Sequence, residues 1–307
     1  MTLQIVKHRN KFFIFSVTLI ILSCLSLAVW GLKLGIDFTG GSLMEVNLTG
    51  ASKVSAQELT DKIQTRLPDI GEARVQPTAD GFILRTKHLS EDDHQKILTT
   101  LKDIHIQGPV ADNIILDEKR FESVGPMIGE ELKNKSIWAI TLASLAIILY
   151  IAWSFRKVSK PVASWKYGVG AVIALIHDLV IVTGFFSVLG HFIGYEIDLL
   201  FVSALLTILG FSVHDTIVVY DRTRENLIRA RGNTFEETVN KAVNETMRRS
   251  VNTSLTVFMV LLALYILGGD STQNFVLALL IGVVFGTYSS IFVASTLLVV
   301  WHKIGKK

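Results

Sequence analysis

The sequence has a single cysteine, Cys24, set in an apolar run. One thiol closes no internal disulfide and builds no cysteine cluster for zinc, so it reads as a small apolar helix residue. Charge is also missing over long stretches. Several runs of about 20 residues are nearly free of Asp, Glu, Lys and Arg, enough to cross a hydrocarbon core roughly 30 Å thick. The first run follows Lys7, Arg9 and Lys11 as a signal peptide would. It is too long for a signal core, however, and "GLKLGIDF" behind it lacks an A-x-A type cleavage site, so an uncleaved anchor is expected. Lys and Arg are likewise absent from the short connections "GHFIGYEID" and "GGDSTQN".

What is present falls into two populations, which the mean hydropathy of +0.46 averages together. Six apolar spans are predicted, at Phe12–Trp30, Ile137–Phe155, Tyr167–Leu189, Leu199–Tyr220, Val251–Leu267 and Phe275–Trp301. One stretch between the first two holds most of the acids. The layout is therefore a short N-terminus (1–11), a first span (12–30), a soluble domain (31–136), a five-helix membrane bundle (137–301) and a tail (302–307). Basic residues set the orientation. Arg156, Lys157, Lys160 and Lys166 separate the second and third spans; Arg222, Arg224, Arg229, Arg231, Lys241, Arg248 and Arg249 separate the fourth and fifth; Lys303, Lys306 and Lys307 close the chain. Both termini are expected inside and the soluble domain outside. The net charge of +3 then follows from topology and gives no reason to expect nucleic acid as a partner.

In the soluble domain "SLMEVNL" alternates as a strand does. "SAQELTDKIQTRLP" carries Ser55 and Glu58 at capping-box spacing and then shows helical periodicity. "EARVQPT" and "GFILRTK" flank a turn at Ala79-Asp80-Gly81, "SEDDHQKILTTLKDI" reads as a second capped helix, and "NIILDEKRFESVG" supplies a last strand. The order βαββαβ suits a small ferredoxin-like sandwich. Asp92, Asp93 and His94 sit in the first turn of the second helix, where the acids favour the dipole and the histidine is expected to be solvated. No catalytic constellation stands out, so no enzyme, metal or cofactor is expected.

The chemistry is concentrated in ionisable residues within the spans: His177 and Asp178 in the third, His214 and Asp215 in the fourth, with Arg248 and Arg249 where the fifth begins. Such residues cost roughly 2.5–3.5 kcal/mol on insertion scales and usually face a partner or a water-filled path. Neighbours on a helix point about 100° apart, so one member of each His-Asp pair is expected to face a neighbouring helix and the other elsewhere. The aspartates serve either as polar packing contacts or as proton carriers, and each histidine as a packing residue or a relay. No i, i+4 ligand spacing supports a metal site. Arg248 and Arg249 equally suit an inner membrane boundary. "GVGAVIA" and "IGVVFGTYSS" are small enough for close helix contact. "TFEETVNKAVNETMRRS", near 234–250, reads as an amphipathic inner-surface helix capped by Thr234 and Glu237.

The motifs "GIDFTGGSLMEV", "VGPMIGEEL", "GFSVHDTIVVYDRTREN", "RRSVNTSLT" and "GGDSTQNFVLALLIGVVFGTYSSIFVAS" resemble the SecF side of the SecD/SecF family, within the resistance-nodulation-division superfamily. The resemblance covers nearly the whole chain in order. It implies a subunit of the bacterial Sec protein translocase in the cytoplasmic (inner) membrane. Such a subunit pairs with SecD beside the SecYEG channel and uses the proton-motive force in late steps of preprotein export, after SecA has driven entry. YajC/YidC, secretory preproteins and membrane lipid are implied as further partners. Carried over, the family's proton-pathway residues fall on Asp215 and Arg249; Asp178 and His214 are further relay candidates from their place in the spans, and the family lends His214 no support in that role. Asp37, Gly40 and Gly41 match the "GIDFxGG" motif and, with Gly125 and Pro126, have a structural role. His214 stands where the family often has Asn, and Thr223 where Ile is usual. The alternatives are a half-size relative of the exporters that move a small molecule or lipid, and a translocon scaffold in which the charges only pack.

Overall fold

A computed structural model describes residues 3–49, 55–78, 81–106, 115–155, 163–229 and 234–304. The expected turn residues Ala79 and Asp80 lie outside the described residues. So do the bases Arg156, Lys157, Lys160 and Arg231 and the tail lysines Lys306 and Lys307. The chain divides into two compact units, one of Leu34–Lys135 and one of Met1–Lys33 with Ser136–Lys307.

The smaller unit follows the order read from the hydrophobic pattern. The first helix of the chain, α1 (Arg9–Val29), belongs to the larger unit, and the smaller unit opens on α2 (Ile36–Thr39). Then come β1 (Gly41–Thr49), α3 (Ala56–Arg66), β2 (Arg74–Pro77), β3 (Gly81–Thr86), α4 (Glu91–Ile106) and β4 (Ile115–Val124). All neighbours in the sheet are antiparallel, in the order β2-β3-β1-β4. Alternation on β1 sends Met44 and Val46 into the core, where they meet Leu84 of β3, Leu59 and Ile63 of α3, and Ile97 and Leu101 of α4. Each such side chain contributes about 1.5–3 kcal/mol on burial. Ser55 caps α3 by accepting from the Glu58 N–H at 3.1 Å.

His94 departs from expectation. It is 6% exposed, stacked on Phe121 with ring centroids 3.8 Å apart, and its Nε2 lies 2.7 Å from Glu118 of β4. Position 94 falls on the face of α4 that covers the sheet, so the ring is buried although it lies in the helix's first turn.

Among the described residues, six helices are long and apolar enough to cross a membrane. They are α1 with the turn before it, α5 (Pro126–Ser154), α6 (Ser164–Phe192), α7 (Leu199–Arg229), α8 (Phe235–Leu267), and α9 (Asp270–Tyr288) running through a π-helical turn (Ser289–Ala294) into α10 (Ser295–Ile304). In the larger unit, α6, α7 and α9–α10 carry most of the buried residues, while α1, α5 and α8 are largely exposed. Small residues set the tight contacts. A Cβ on Gly184 of α6 would lie 2.3 Å from the Ser23 Cβ of α1, and one on Gly282 of α9 would lie 2.3 Å from Ile208 of α7.

The segment near 234–250 is not a separate surface helix. Thr234 and Glu237 form the expected capping box, but the helix they start runs unbroken to Leu267 as α8, since no Gly or Pro intervenes. Part of its polar face is covered by protein, while Glu237, Lys241, Arg248 and Arg249 stay exposed. Asn240 and Asn244 both donate to the Leu3 carbonyl, at 3.0 and 2.9 Å, and accept from the Val6 and Leu3 N–H groups. Glu245 accepts from Arg222 and Asn226 of α7.

Candidate functional site

A carboxylate held among apolar helices needs donors, because an unpaired buried charge is very costly. The two acids of the bundle meet that need unequally. Asp178, on α6, is 1% exposed. Its Oδ1 lies 2.9 Å from His177 Nδ1, and its Oδ2 accepts from Ser212 Oγ of α7 at 2.6 Å and Ser289 Oγ of the π-helical turn at 2.8 Å. Asp215, on α7, is 4% exposed. Its Oδ1 accepts from Ser250 Oγ of α8 at 3.2 Å, while its Oδ2 is buried with no partner among the described residues.

The helices explain this placement. Ser212 and Asp215 are three apart on α7 and so lie one turn from each other on neighbouring faces. Ser212 meets α6, and Asp215 meets α8. The π-helical turn lets consecutive hydroxyls serve different neighbours: Ser289 reaches Asp178, whereas Ser290 donates to the Ser212 carbonyl at 3.0 Å and pairs with Thr216 Oγ1 at 2.9 Å. Such turns recur at functional sites. On the α8 side, Ser254 donates to the Ser250 carbonyl at 2.8 Å and pairs with Thr287 of α9. Tyr288 extends the seam to α1, donating to the Phe12 carbonyl at 3.0 Å and accepting from Ser16.

The structure brings some expected residues together and leaves others apart. For His214 and Asp215 the expected divergence holds, with His214 exposed and Asp215 buried. For His177 and Asp178 it does not. Both are buried and bonded to each other, because α6 is packed against α1, α7 and α9 and has protein on several sides. Arg249 is exposed and makes no ion pair with Asp215 within 4 Å among the described residues; its neighbour Ser250 makes the contact instead. Arg248 is exposed as well. The sequence reading missed Ser212, Ser250, Ser289 and Ser290. The usable signal is the need of a buried carboxylate for nearby hydroxyls, which the small size of the "TYSS" residues does not by itself announce.

In the smaller unit the glycine motif forms a joint. Gly40 and Gly41 have φ of +71° and +124°, which side chains rarely adopt. A Cβ on Gly40 would lie 2.8 Å from Pro126 Cα, and one on Gly129 would lie 2.9 Å from the Gly40 nitrogen. The turn after α2 thus rests directly on the first turn of α5. Asp37 lies in the first turn of α2, and a Cβ on Gly125 would make an ordinary contact with Ile128 at 3.9 Å.

Comparisons with known proteins agree along the whole chain. Residues 110–304 match the family "Protein export membrane protein SecD/SecF, C-terminal", and residues 25–51 match the "SecD/SecF GG Motif". Similar proteins include the Protein translocase subunit SecF of Thermobaculum terrenum, 44% identical with 98% of this chain and 94% of that one covered. The SecF of Anaerolinea thermophila is 38% identical at the same coverage. Among solved structures, the SecDF of Thermus thermophilus, described as a translocon-associated membrane protein, superposes with a TM-score of 0.78 at 31% identity. That match covers 99% of this chain and 39% of the Thermus one. A SecDF structure in a super-membrane-facing form gives a TM-score of 0.69 at the same identity, over 100% of this chain and 39% of that one. With six apolar helices, the glycine joint and both motif regions in place, the chain is a multi-pass membrane protein that belongs to the SecD/SecF family, among its SecF members.

Proposed function

We propose that this chain pairs with SecD and, beside the SecYEG channel of the bacterial cytoplasmic membrane, couples proton entry to the late movement of preproteins after SecA has acted. Family membership and the similarity to SecF and SecDF proteins support a role in the Sec machinery. The proton-transfer part rests on one observation, the buried Oδ2 of Asp215, which has no partner among the described residues. Two things can complete that atom: a proton bound to it, or the guanidinium of Arg249, one residue before the Ser250 that already holds Oδ1. Alternation between them loads and releases a proton as α8 shifts against α7. Asp178 holds a second carboxyl in the same seam, and His214 lies next to Asp215 on α7. Asp37, Gly40, Gly41, Gly125 and Pro126 belong to the joint that transmits movement.

The test is Asp215→Asn in inverted membrane vesicles. The variant is expected to insert and copurify with SecD but to lose the stimulation of export by the proton-motive force. Wild-type export and proton flux would rule out the relay and leave Asp215 as a packing residue.

A further inference from the structure

We propose that His177 Nε2 is the atom on which the α6 pair takes up a proton, making His177 with Asp178 a second proton-holding site beside Asp215. The inference rests on the proton-transfer reading above and assigns its atom.

Donor accounting leads to it. The Asp178 carboxylate faces three groups: His177 Nδ1 on Oδ1, and Ser212 Oγ and Ser289 Oγ on Oδ2. With Asp178 ionised the carboxylate only accepts, so the imidazole hydrogen sits on Nδ1 and the other ring nitrogen keeps a bare lone pair. That nitrogen, Nε2, is buried and has no partner among the described residues, in a side chain 2% exposed. Buried polar atoms are overwhelmingly paired, and an imidazole kept for packing alone would leave this one without explanation.

A proton arriving on Nε2 forms an imidazolium bonded to its own carboxylate. The pair passes from one net negative charge to none, and all three hydrogen bonds stay in place. Oriented carboxylate–imidazole pairs present a basic nitrogen in this way in many enzymes. The other titratable group against the ring is Tyr288 of α9, whose ring centroid is 6.2 Å away and whose hydroxyl is bonded to α1. From α7 the uncharged Ser212 bonds to Asp178, and no Lys or Arg pairs with Asp178 among the described residues. His214, exposed on α7, lacks such a setting.

Solid-state NMR of the full chain in lipid bilayers, with ¹⁵N-labelled histidine, reads the ring directly. One signal, absent from His177→Asn, should report hydrogen on Nδ1 and a bare Nε2 in alkaline buffer, then gain a second proton as the pH falls. Asp178→Asn removes the counter-charge and should suppress that uptake. A ring with hydrogen on Nε2, or one that stays neutral over the whole range, overturns the proposal. In export assays His177→Asn keeps an amide donor toward Asp178 but no basic nitrogen. It should bind SecD and lose proton-driven stimulation, and full stimulation overturns the proposal equally. If Asp215→Asn left export untouched while the ring still titrated, the proposed function alone would have failed.

Discussion

Two acids buried in one seam differ in how many hydrogen bonds they accept among the described residues, three for Asp178 and one for Asp215. The difference assigns them different tests. Because Arg249 stands off from Asp215 in this structure, the pair is expected to close only during the working cycle. A double-mutant cycle on Asp215 and Arg249, read by proton-driven export, should therefore be strongly non-additive. Arg249→Lys keeps charge without the planar fork and should retain partial function at best, whereas Arg248→Ala should cost little. Additive losses, or equal sensitivity at Arg248, would show that no specific pair exists. Both aspartates were legible in the sequence because acids stand out in apolar runs. Their serine partners were not, because a hydroxyl in such a run looks the same whether it bonds its own helix, as Thr183 does, or reaches across, as Ser212 does. His177 was half legible: its position was plain, but the protein packed around α6 was not.

At the scale of elements, two contacts are open to test: the glycine joint, and the clamp that Asn240 and Asn244 of α8 form on Leu3 and Val6. Gly129→Ala places a methyl 2.9 Å from a backbone nitrogen and should cost about 1–3 kcal/mol, seen as a lower Tm of the purified chain. Gly125→Ala, where the nearest atom would be 3.9 Å away, should be nearly silent. A comparable loss at both positions would mean that the packing drawn here is wrong. The clamp is testable by cross-linking. With Cys24→Ser as background, Leu3→Cys and Asn244→Cys should form a disulfide under mild oxidation, since the Leu3 N–H lies 2.8 Å from Asn244 Oδ1. No cross-link would return the 234–250 segment to the membrane surface. Helix periodicity and the Thr234 cap were readable in advance. The continuity of α8 was not, because local polarity looks alike whether water, headgroups or another segment of the protein covers it.

For the whole molecule, the basic residues make the orientation testable. Reporter fusions at Asp80 and Asp270 should appear outside, and fusions at Gly232 and Lys307 inside. An inside signal at Asp80 would overturn the topology and with it the direction of proton entry. The order of strands and helices in the smaller unit could be read from periodicity, whereas its buried His94 could not, since nothing local to "EDDHQ" announces Phe121 and Glu118. One consequence of the bundle concerns α7, which supplies Ser212 to one acid and is itself the bearer of the other, three residues on. If α7 turns about its own axis as a rigid rod, it cannot withdraw Ser212 from Asp178 without also swinging Asp215 past Ser250. The two acids then share one axle, and a cycle built on that rotation must reset both in a single stroke.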